Sequence, residues 1–377
     1  MTINRDMADL ARSATTVPTA TAPGKNMLIN SAMRVSQRGT SFTSYGATDS
    51  EYGLDRWKIR SISSASARWT ASQESSGGVS GKDKWLKILC TTADASPGAD
   101  ETQWITQPIE GFNSTSVVAD DASTKSMSVS LDIIAHADGG GSISFPAKAA
   151  VFLDMGAGAS REYVHDVTIA QADTWERVTF SAPADSFSTW TADNSANLGI
   201  GISLYGGSGR VAAEDTWRAM GRDNITSNTD NWADATNNYL GFTNVQLEVS
   251  SVATDFSHED YGATLNKCKR YYERITPAGN GQPLGSGFAQ STTGAQITLF
   301  YAEKRAVPTV AGTAAATFAI VHTGAVSSGT GSLSWDQTGT TSCRMNLAYG
   351  GSMTDGQGVQ ISRDATDTCY IEMSAEL

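Results

Sequence analysis

Apolar residues recur at every second position over most of this chain, and this period of two constrains the fold more than any other feature of the sequence. In the stretch 126–133, four apolar residues alternate with serine or aspartate, so an extended backbone there has one apolar and one polar face. The alternation in 239–249 shifts by one between Phe242 and Val245, which predicts a β-bulge. Further candidate strands occur at 56–62, 85–90, 149–153, 164–169, 175–180 and 198–204.

These strands and the long polar loops between them predict an all-β fold. We expect a jelly-roll β-sandwich over residues 25–260 and a smaller C-terminal β domain over 275–377. Between them, residues 261–274 place Leu265, Cys268 and Tyr272 on one helical face, with acidic residues before the segment and basic residues near its end, which predicts a short connector helix. A length of 377 residues fits two domains.

The N-terminal 24 residues have a different character. Residues 4–14 place Met7 and Leu10 three positions apart, which predicts a short amphipathic helix, and a linker of Thr, Ala and Pro follows. So short a helix is unstable alone in water, so we expect it to act as an anchor that docks on copies of the chain or on a larger particle. The segment lacks the basic start and apolar stretch of a secretory signal, so we expect the protein to remain in the compartment where it is made until it is released.

Charge and cysteine content exclude several classes of function. A net charge of -12 with few, scattered basic residues disfavours binding to nucleic acid or to an anionic membrane. The sequence has no apolar run long enough for membrane insertion. The four cysteines show no Cys-x-x-Cys spacing, which favours buried, reduced thiols over disulfides or a zinc site.

Tryptophans in polar, loop-like surroundings are the candidate ligand-binding residues. Flat aromatic faces stack on sugar rings in glycan-binding sandwiches, while the alternative role of such residues is packing over a sheet edge or against a neighbouring subunit. Trp57, Trp85 and Trp175 lie in strand patterns and are expected in the core. The candidates are Trp104, Trp190, Trp217 and Trp232.

Signals of catalysis are weak. The four histidines are not paired at metal-ligand spacing, and no hydrolase or nucleotide-binding motif is present. A polysaccharide depolymerase needs only two placed carboxylates, and Asp154, Glu162 and Asp166 lie near candidate strands. The loop around Trp232 has only Asp230 and Asp234 as charged oxygen donors, which is ordinary for a solvated turn. We therefore predict no catalytic residue, no metal site and no cofactor, and leave open a structural calcium.

Three segments together resemble a module of phage tail-fibre and receptor-binding proteins, particularly those of marine bacteriophages. The first is NMLINSAMRVSQRGT at 26–40, followed by LDRW at 54–57. The second is TNVQLEVSSVATDF at 243–256, which leads into LNKCKRYYE at 265–273. The third is KRAVPTV at 304–310 with the closing SAEL at 374–377. The resemblance brackets the sandwich and extends into the C-terminal domain.

The resemblance implies a virion structural protein, a tail fibre subunit that forms a homo-oligomer, expected as a trimer. Its N-terminus would dock on other tail proteins, and several weak sites on one fibre would bind a host-surface glycan multivalently. Such a protein is made in the host cytoplasm without a signal peptide and carried on the virion tail. The alternatives are a tail nozzle, adaptor or capsid decoration protein without receptor binding, a surface-polysaccharide depolymerase and a secreted lectin.

Overall fold

The computed structural model describes residues 25–79, 84–119, 123–156, 160–186, 189–279, 281–323, 325–364 and 369–377. The predicted anchor helix with Met7 and Leu10, and the linker after it, lie outside these residues. The regular secondary structure of the described residues consists of antiparallel strands and two short helices, which confirms the predicted all-β class and the jelly-roll sandwich.

The first thirteen strands form the sandwich. One sheet has six strands in the order β1-β4-β5-β13-β7-β10, and the other has seven in the order β12-β9-β8-β11-β6-β3-β2. The strands are β1 (Ser41–Tyr45), β2 (Ser50–Tyr52), β3 (Lys58–Ile62), β4 (Arg68–Glu74), β5 (Trp85–Thr92), β6 (Thr102–Glu110), β7 (Met127–His136), β8 (Ala147–Met155), β9 (Arg161–Ile169), β10 (Glu176–Ala182), β11 (Ala196–Gly206), β12 (Arg218–Ala219) and β13 (Tyr239–Val249).

The sandwich core forms where the apolar faces of the two sheets meet. Leu131 on β7 and Leu153 on β8 are fully buried, and burial of each such side chain stabilises the fold by roughly 1.5–3 kcal/mol. The Trp57 ring packs edge-on against the Phe242 ring with their centroids 5.5 Å apart, so Trp57 belongs to the core as expected. The apolar residues that recur with a period of two in the sequence are therefore the ones that face this core.

The predicted irregularity in the last sandwich strand is confirmed. The pairing of β13 with β7 changes register between Thr243 and Gln246. Asn244 between them has φ of 50°, and its side-chain amide donates to Asp132 on β7 at 2.7 Å. One extra residue at this point keeps both halves of the strand facing the core.

The helices are α1 (Gly111–Ser114) and α2 (Tyr261–Lys269), with 3-10 turns at Thr115–Val117, Ser208–Arg210 and Ala315–Thr317. The Asp260 carboxylate accepts the Gly262 and Ala263 backbone N–H groups and so caps α2. The predicted connector helix over 261–274 is too long. The chain from Tyr272 onward is a strand, because it pairs antiparallel with the last strand of the chain, 371–374. Among the described helices, none is long and apolar enough to cross a membrane.

The remaining strands form a closed barrel in the order β15-β16-β20-β19-β18-β21 and a three-stranded sheet in the order β14-β22-β17. A second core, with Phe318, Met345 and Ile361 fully buried, fills this part of the chain. All four cysteines are buried and unpaired. The strands are β14 (Tyr272–Ile275), β15 (Pro283–Ser291), β16 (Gly294–Phe300), β17 (Thr309–Gly312), β18 (Phe318–His322), β19 (Ala325–Asp336), β20 (Ser342–Tyr349), β21 (Gly358–Arg363) and β22 (Ile371–Ser374).

A polar joint connects the sandwich to the segment after α2. The fully buried Glu110 carboxylate, at the end of β6, accepts from the Arg270 guanidinium at 2.6 and 3.1 Å and from the Tyr271 hydroxyl at 2.7 Å. The buried Arg56 guanidinium lies 3.6 Å from the centre of the Tyr271 ring and pairs with Glu376. Every charge at this joint therefore has a partner, as buried charges require.

Candidate functional site

Two of the four candidate tryptophans lie in the sandwich core. Trp232 is fully buried, and its indole N–H donates to the Lys148 carbonyl at 3.2 Å. Trp217 is 9% exposed, packs against the Tyr163 ring and donates to the Pro183 carbonyl at 2.8 Å. Both tryptophans lie in loops, and both rings take the alternative role of packing, because polar neighbours in the sequence do not prevent an indole ring from folding inward when its N–H finds a carbonyl.

Trp190 and Trp175 lie nearer the surface. Trp190 is partly buried and packs against the sandwich core from a loop. Trp175 was expected in the core but is only partly buried, just before β10, where its ring packs edge-on against Trp85 at 5.4 Å. Its indole N–H donates to the Gly77 carbonyl at 2.7 Å, so a loop crosses this face of the six-stranded sheet.

Trp104 is only 6% exposed, but unlike Trp217 its ring borders a cleft, in the floor of which it lies, on the outer face of the seven-stranded sheet. It stands on β6, which the sequence did not reveal as a strand, and packs edge-on against Phe152 of β8 with the ring centroids 6.0 Å apart. The cleft has a volume of about 290 Å³ and crosses five neighbouring strands. Trp104 is thus a candidate tryptophan that the structure places against an open cavity.

Two glycines of the central strand β11 create this cleft. The aromatic ring of Phe152 lies over Gly201, where an added Cβ would come within 2.1 Å of Phe152 Cζ. The carboxylate of Asp154 lies over Gly199 in the same way, where a Cβ would come within 2.3 Å of Asp154 Oδ1. Because these two glycines have no side chains, the outer face of the sheet has a trough along β11. The Phe152 and Asp154 side chains of β8 extend into this trough.

Carboxylates and basic side chains form the polar wall of the cleft. Asp154 on β8 is directly opposite Glu162 on β9 in the sheet register. Glu162 accepts the backbone N–H groups of Gly221 at 2.9 Å and Arg222 at 3.0 Å, and pairs with the Arg218 guanidinium at 2.8 Å. Glu162 therefore holds the 218–223 loop in place and has little capacity left for a ligand.

Asp154 has no hydrogen-bond or ion-pair partner among the described residues, although Lys58, Arg60 and Arg222 act on it electrostatically. Burial, with a smaller contribution from the neighbouring Glu162 carboxylate, raises the pKa of the Asp154 carboxyl from 3.8 to about 6. An unsatisfied, desolvated carboxyl of this kind is available to a ligand that brings hydroxyl groups.

We expect Asp154→Asn to stabilise the protein at pH 8 by about 1 kcal/mol, a value reduced from the full shift because the side chain is partly exposed. The folded-state pKa is raised, so the wild type loses stability as pH rises from about 4 through about 6, and the deficit persists above that range. Urea unfolding at pH 4 and pH 8 measures the effect. Equal stability of variant and wild type at pH 8 would contradict a desolvated Asp154.

Asn224 lines the same cleft. Its side chain is 2% exposed, and its oxygen accepts from the Thr102 hydroxyl at 2.8 Å, whereas its enclosed nitrogen has no partner among the described residues. A buried amide N–H that lacks a partner costs about 1–3 kcal/mol. Asp154 is therefore the polar group of the cleft that is open to a ligand.

Two other places on the surface offer weaker support for a binding site. His165, Glu214 and Asp215 have ligand atoms within 4.8 Å of one another, but His165 Nδ1 and the Tyr163 hydroxyl already bond to Asp215 at 2.7 and 2.9 Å. A cleft of about 280 Å³ beside the start of α2 offers only the edge-on pair of Phe256 and His258 as an aromatic surface. The prediction of no metal and no cofactor stays a prediction.

No known protein family and no curated protein matches the chain. Among solved structures, it is similar to TmCBM61 in complex with beta-1,4-galactotriose (7% identity, TM-score 0.25, 52% of this chain and 88% of that one). It is also similar to a mutant of CBM29-2, a family 29 carbohydrate-binding module (9% identity, TM-score 0.24, 59% of this chain and 99% of that one). A third similar structure is the CBM22-1-CBM22-2 tandem domain of Paenibacillus barcinonensis Xyn10C (10% identity, TM-score 0.25, 90% of this chain and 92% of that one). TM-scores this low carry no functional weight, so the site itself must support any function.

Proposed function

We propose that this protein binds a glycan in the cleft of the seven-stranded sheet. The observation that carries the proposal is the combination of an aromatic floor, Trp104 with Phe152, and the Asp154 carboxyl, which has no partner among the described residues, in one cavity. A sugar ring presents an apolar face bordered by hydroxyls that donate hydrogen bonds, so it matches this floor and this carboxyl.

We expect Trp104→Leu to weaken glycan binding by about tenfold, because leucine fills part of the volume but loses the stacking surface. Glycan-array screening of the full chain identifies a binding saccharide, and calorimetric titration of wild type and variant with that saccharide measures the change. Tyr261→Ala is the matched control, since Tyr261 is an aromatic residue that is 51% exposed and does not line the cleft.

Two results would contradict the proposal. One is a wild-type chain that binds no glycan on the array. The other is a Trp104→Leu variant that binds as tightly as wild type while its circular dichroism and unfolding midpoint show that it is folded.

We further propose that the protein is a tail fibre subunit of a phage, that it acts as a homotrimer on the virion, and that residues 1–24 attach it to other tail proteins. The resemblance to tail-fibre modules supports this; it lies in residues 26–40, 54–57, 243–256, 265–273, 304–310 and 374–377. The barrel supports an oligomer, since it exposes large apolar residues: Phe288, Phe300 and Val326. Analytical ultracentrifugation tests the trimer, and loss of particle attachment without residues 1–24 tests the anchor.

A depolymerase remains the alternative that a particular observation favours, namely the opposed carboxyls of Asp154 and Glu162. Glycoside hydrolysis needs one carboxylate free to act as base or nucleophile. Glu162 is held by three backbone N–H groups and by Arg218, so we propose that the cleft binds without catalysis. Release of reducing ends from host polysaccharide, lost in Asp154→Asn, would establish the depolymerase instead.

A further inference from the structure

We infer that the cleft selects an acidic saccharide, one that carries carboxylate or sulfate groups, by means of Arg60 and Arg222. This inference rests on the proposed glycan site and names the class of sugar it takes. It follows from the charges around the cleft, where two arginines lack ion-pair partners within the described ranges although the chain as a whole is acidic.

Arg60 and Arg222 lack ion-pair partners among the described residues. The Arg60 Nε donates only to the Asp49 carbonyl at 3.1 Å, and the Arg222 side chain makes no hydrogen bond or ion pair within the part of the chain that the structure describes. Most other described arginines pair with a carboxylate: Arg38, Arg56, Arg161, Arg177, Arg210, Arg218, Arg270, Arg274 and Arg344. Arg60 and Arg222 both line the same cleft.

The acidic groups of the cleft cancel these charges only in part. Glu162 is already paired with Arg218 at 2.8 Å. Asp154 is the remaining carboxyl, and its raised pKa, about 6, leaves it ionised at neutral pH and partly protonated only in weakly acidic solution. Lys58 also lines the cleft, but its ammonium donates to the Leu377 backbone oxygen, and burial lowers its pKa to about 8. In a chain with a net charge of -12, Arg60 and Arg222 therefore make this cleft locally positive.

The placement of Arg60 fits recognition of a substituted sugar ring. Arg60 on β3 is the register partner of Trp104 on β6, and its guanidinium carbon lies 5.9 Å from the centre of the Trp104 ring. A ring stacked on Trp104 therefore places a charged substituent beside a planar donor group that binds carboxylate or sulfate with two parallel hydrogen bonds. Arg222 approaches from the loop on the opposite side of the cleft, anchored through its backbone N–H by Glu162.

The experiment compares saccharides that differ only in charge. The full-length protein is titrated calorimetrically with trigalacturonate and its methyl ester, and with a sulfated galactan oligosaccharide and its desulfated form. We expect the charged member of at least one pair to bind about tenfold more tightly than its neutral partner, and added salt to weaken that binding. The advantage should fall to about twofold or less in Arg60→Gln/Arg222→Gln.

Arg344→Gln serves as the control, since it removes an arginine on the barrel that is paired with Asp336. It should retain the full preference for the charged sugar. If a neutral member binds as well as or better than its charged partner in both pairs, the acidic-sugar inference is overturned while the glycan proposal stands. If no saccharide of either pair and none on the array binds, both are overturned.

Discussion

Replacing Glu110 with alanine will lower the free energy of unfolding by about 3 kcal/mol, because the change removes the buried carboxylate at the joint between the sandwich and the segment after α2. Glu110 is fully buried and accepts from both the Arg270 guanidinium and the Tyr271 hydroxyl. Without it, the hydroxyl of the buried Tyr271 loses the one acceptor that it has among the described residues, whereas Arg270, whose side chain is 35% exposed, can turn to water. Urea denaturation followed by tryptophan fluorescence measures the loss.

Asp100→Ala is the control for this prediction. Asp100 pairs with Arg210 at 3.7 Å, but its side chain is 73% exposed, so its loss should change stability by less than about 0.5 kcal/mol. An equal, small effect of both substitutions would show that the joint contributes little to stability and that the two parts of the chain are only loosely connected.

Gly201→Ala will weaken glycan binding by about tenfold or more and lower stability by roughly 1–3 kcal/mol. The new methyl group occupies the trough and comes within 2.1 Å of Phe152 Cζ, so the ring must move into the space that the sugar takes. Titration of the array-identified saccharide with wild type and variant measures the binding change, and urea unfolding measures the stability change.

Gly241→Ala separates the two effects, because it makes the same kind of change on the other sheet. Gly241 on β13 lies beneath the Trp85 ring, where an added Cβ would come within 2.4 Å of Trp85 Cζ3. This variant should lose stability but keep its affinity. If Gly241→Ala loses binding and Gly201→Ala keeps it, the sugar binds over Trp85 on the six-stranded sheet, and our assignment of the cleft is wrong.

The sequence predicts those parts of the fold in which side chains alternate cleanly. The strand at 239–249 and its bulge follow directly from the apolar positions, since a residue inserted in a strand must shift the parity of every later side chain. The connector helix was recognised from its spacing and charges, but its end was not. Tyr272 changes from helix to strand because a partner about a hundred residues later, β22, offers it a ladder.

Strand β6, which carries the floor of the candidate site, escaped the sequence analysis for a physical reason. Two of its inward positions are glutamines, Gln103 and Gln107, which break the apolar alternation. Each is buried because it satisfies groups inside the sandwich: Gln103 accepts from the Trp69 indole at 2.7 Å, and Gln107 bonds both polar groups of the Ile29 backbone. Buried polar residues of this kind look like loop residues in a sequence.

The composition of the cleft was equally inaccessible to sequence analysis. Trp104, Asp154 and Arg222 come from separate parts of the chain, and only the strand order brings them to one sheet face. One sequence signal did mark the place, namely the glycines that alternate with apolar residues in 198–204. Glycine at the outward positions of a buried central strand indicates that something approaches the backbone closely.

The seven-stranded sheet ends in two very short strands, β2 with three residues and β12 with two. A short edge strand presents few unpaired N–H and C=O groups to a second chain. Neighbouring copies therefore cannot pair at these edges into a continuous β-sheet. The six strands of the barrel close on themselves and leave no border at all. We conclude that the seven-stranded sheet and the barrel tolerate high local concentration without pairing with the strands of neighbouring copies.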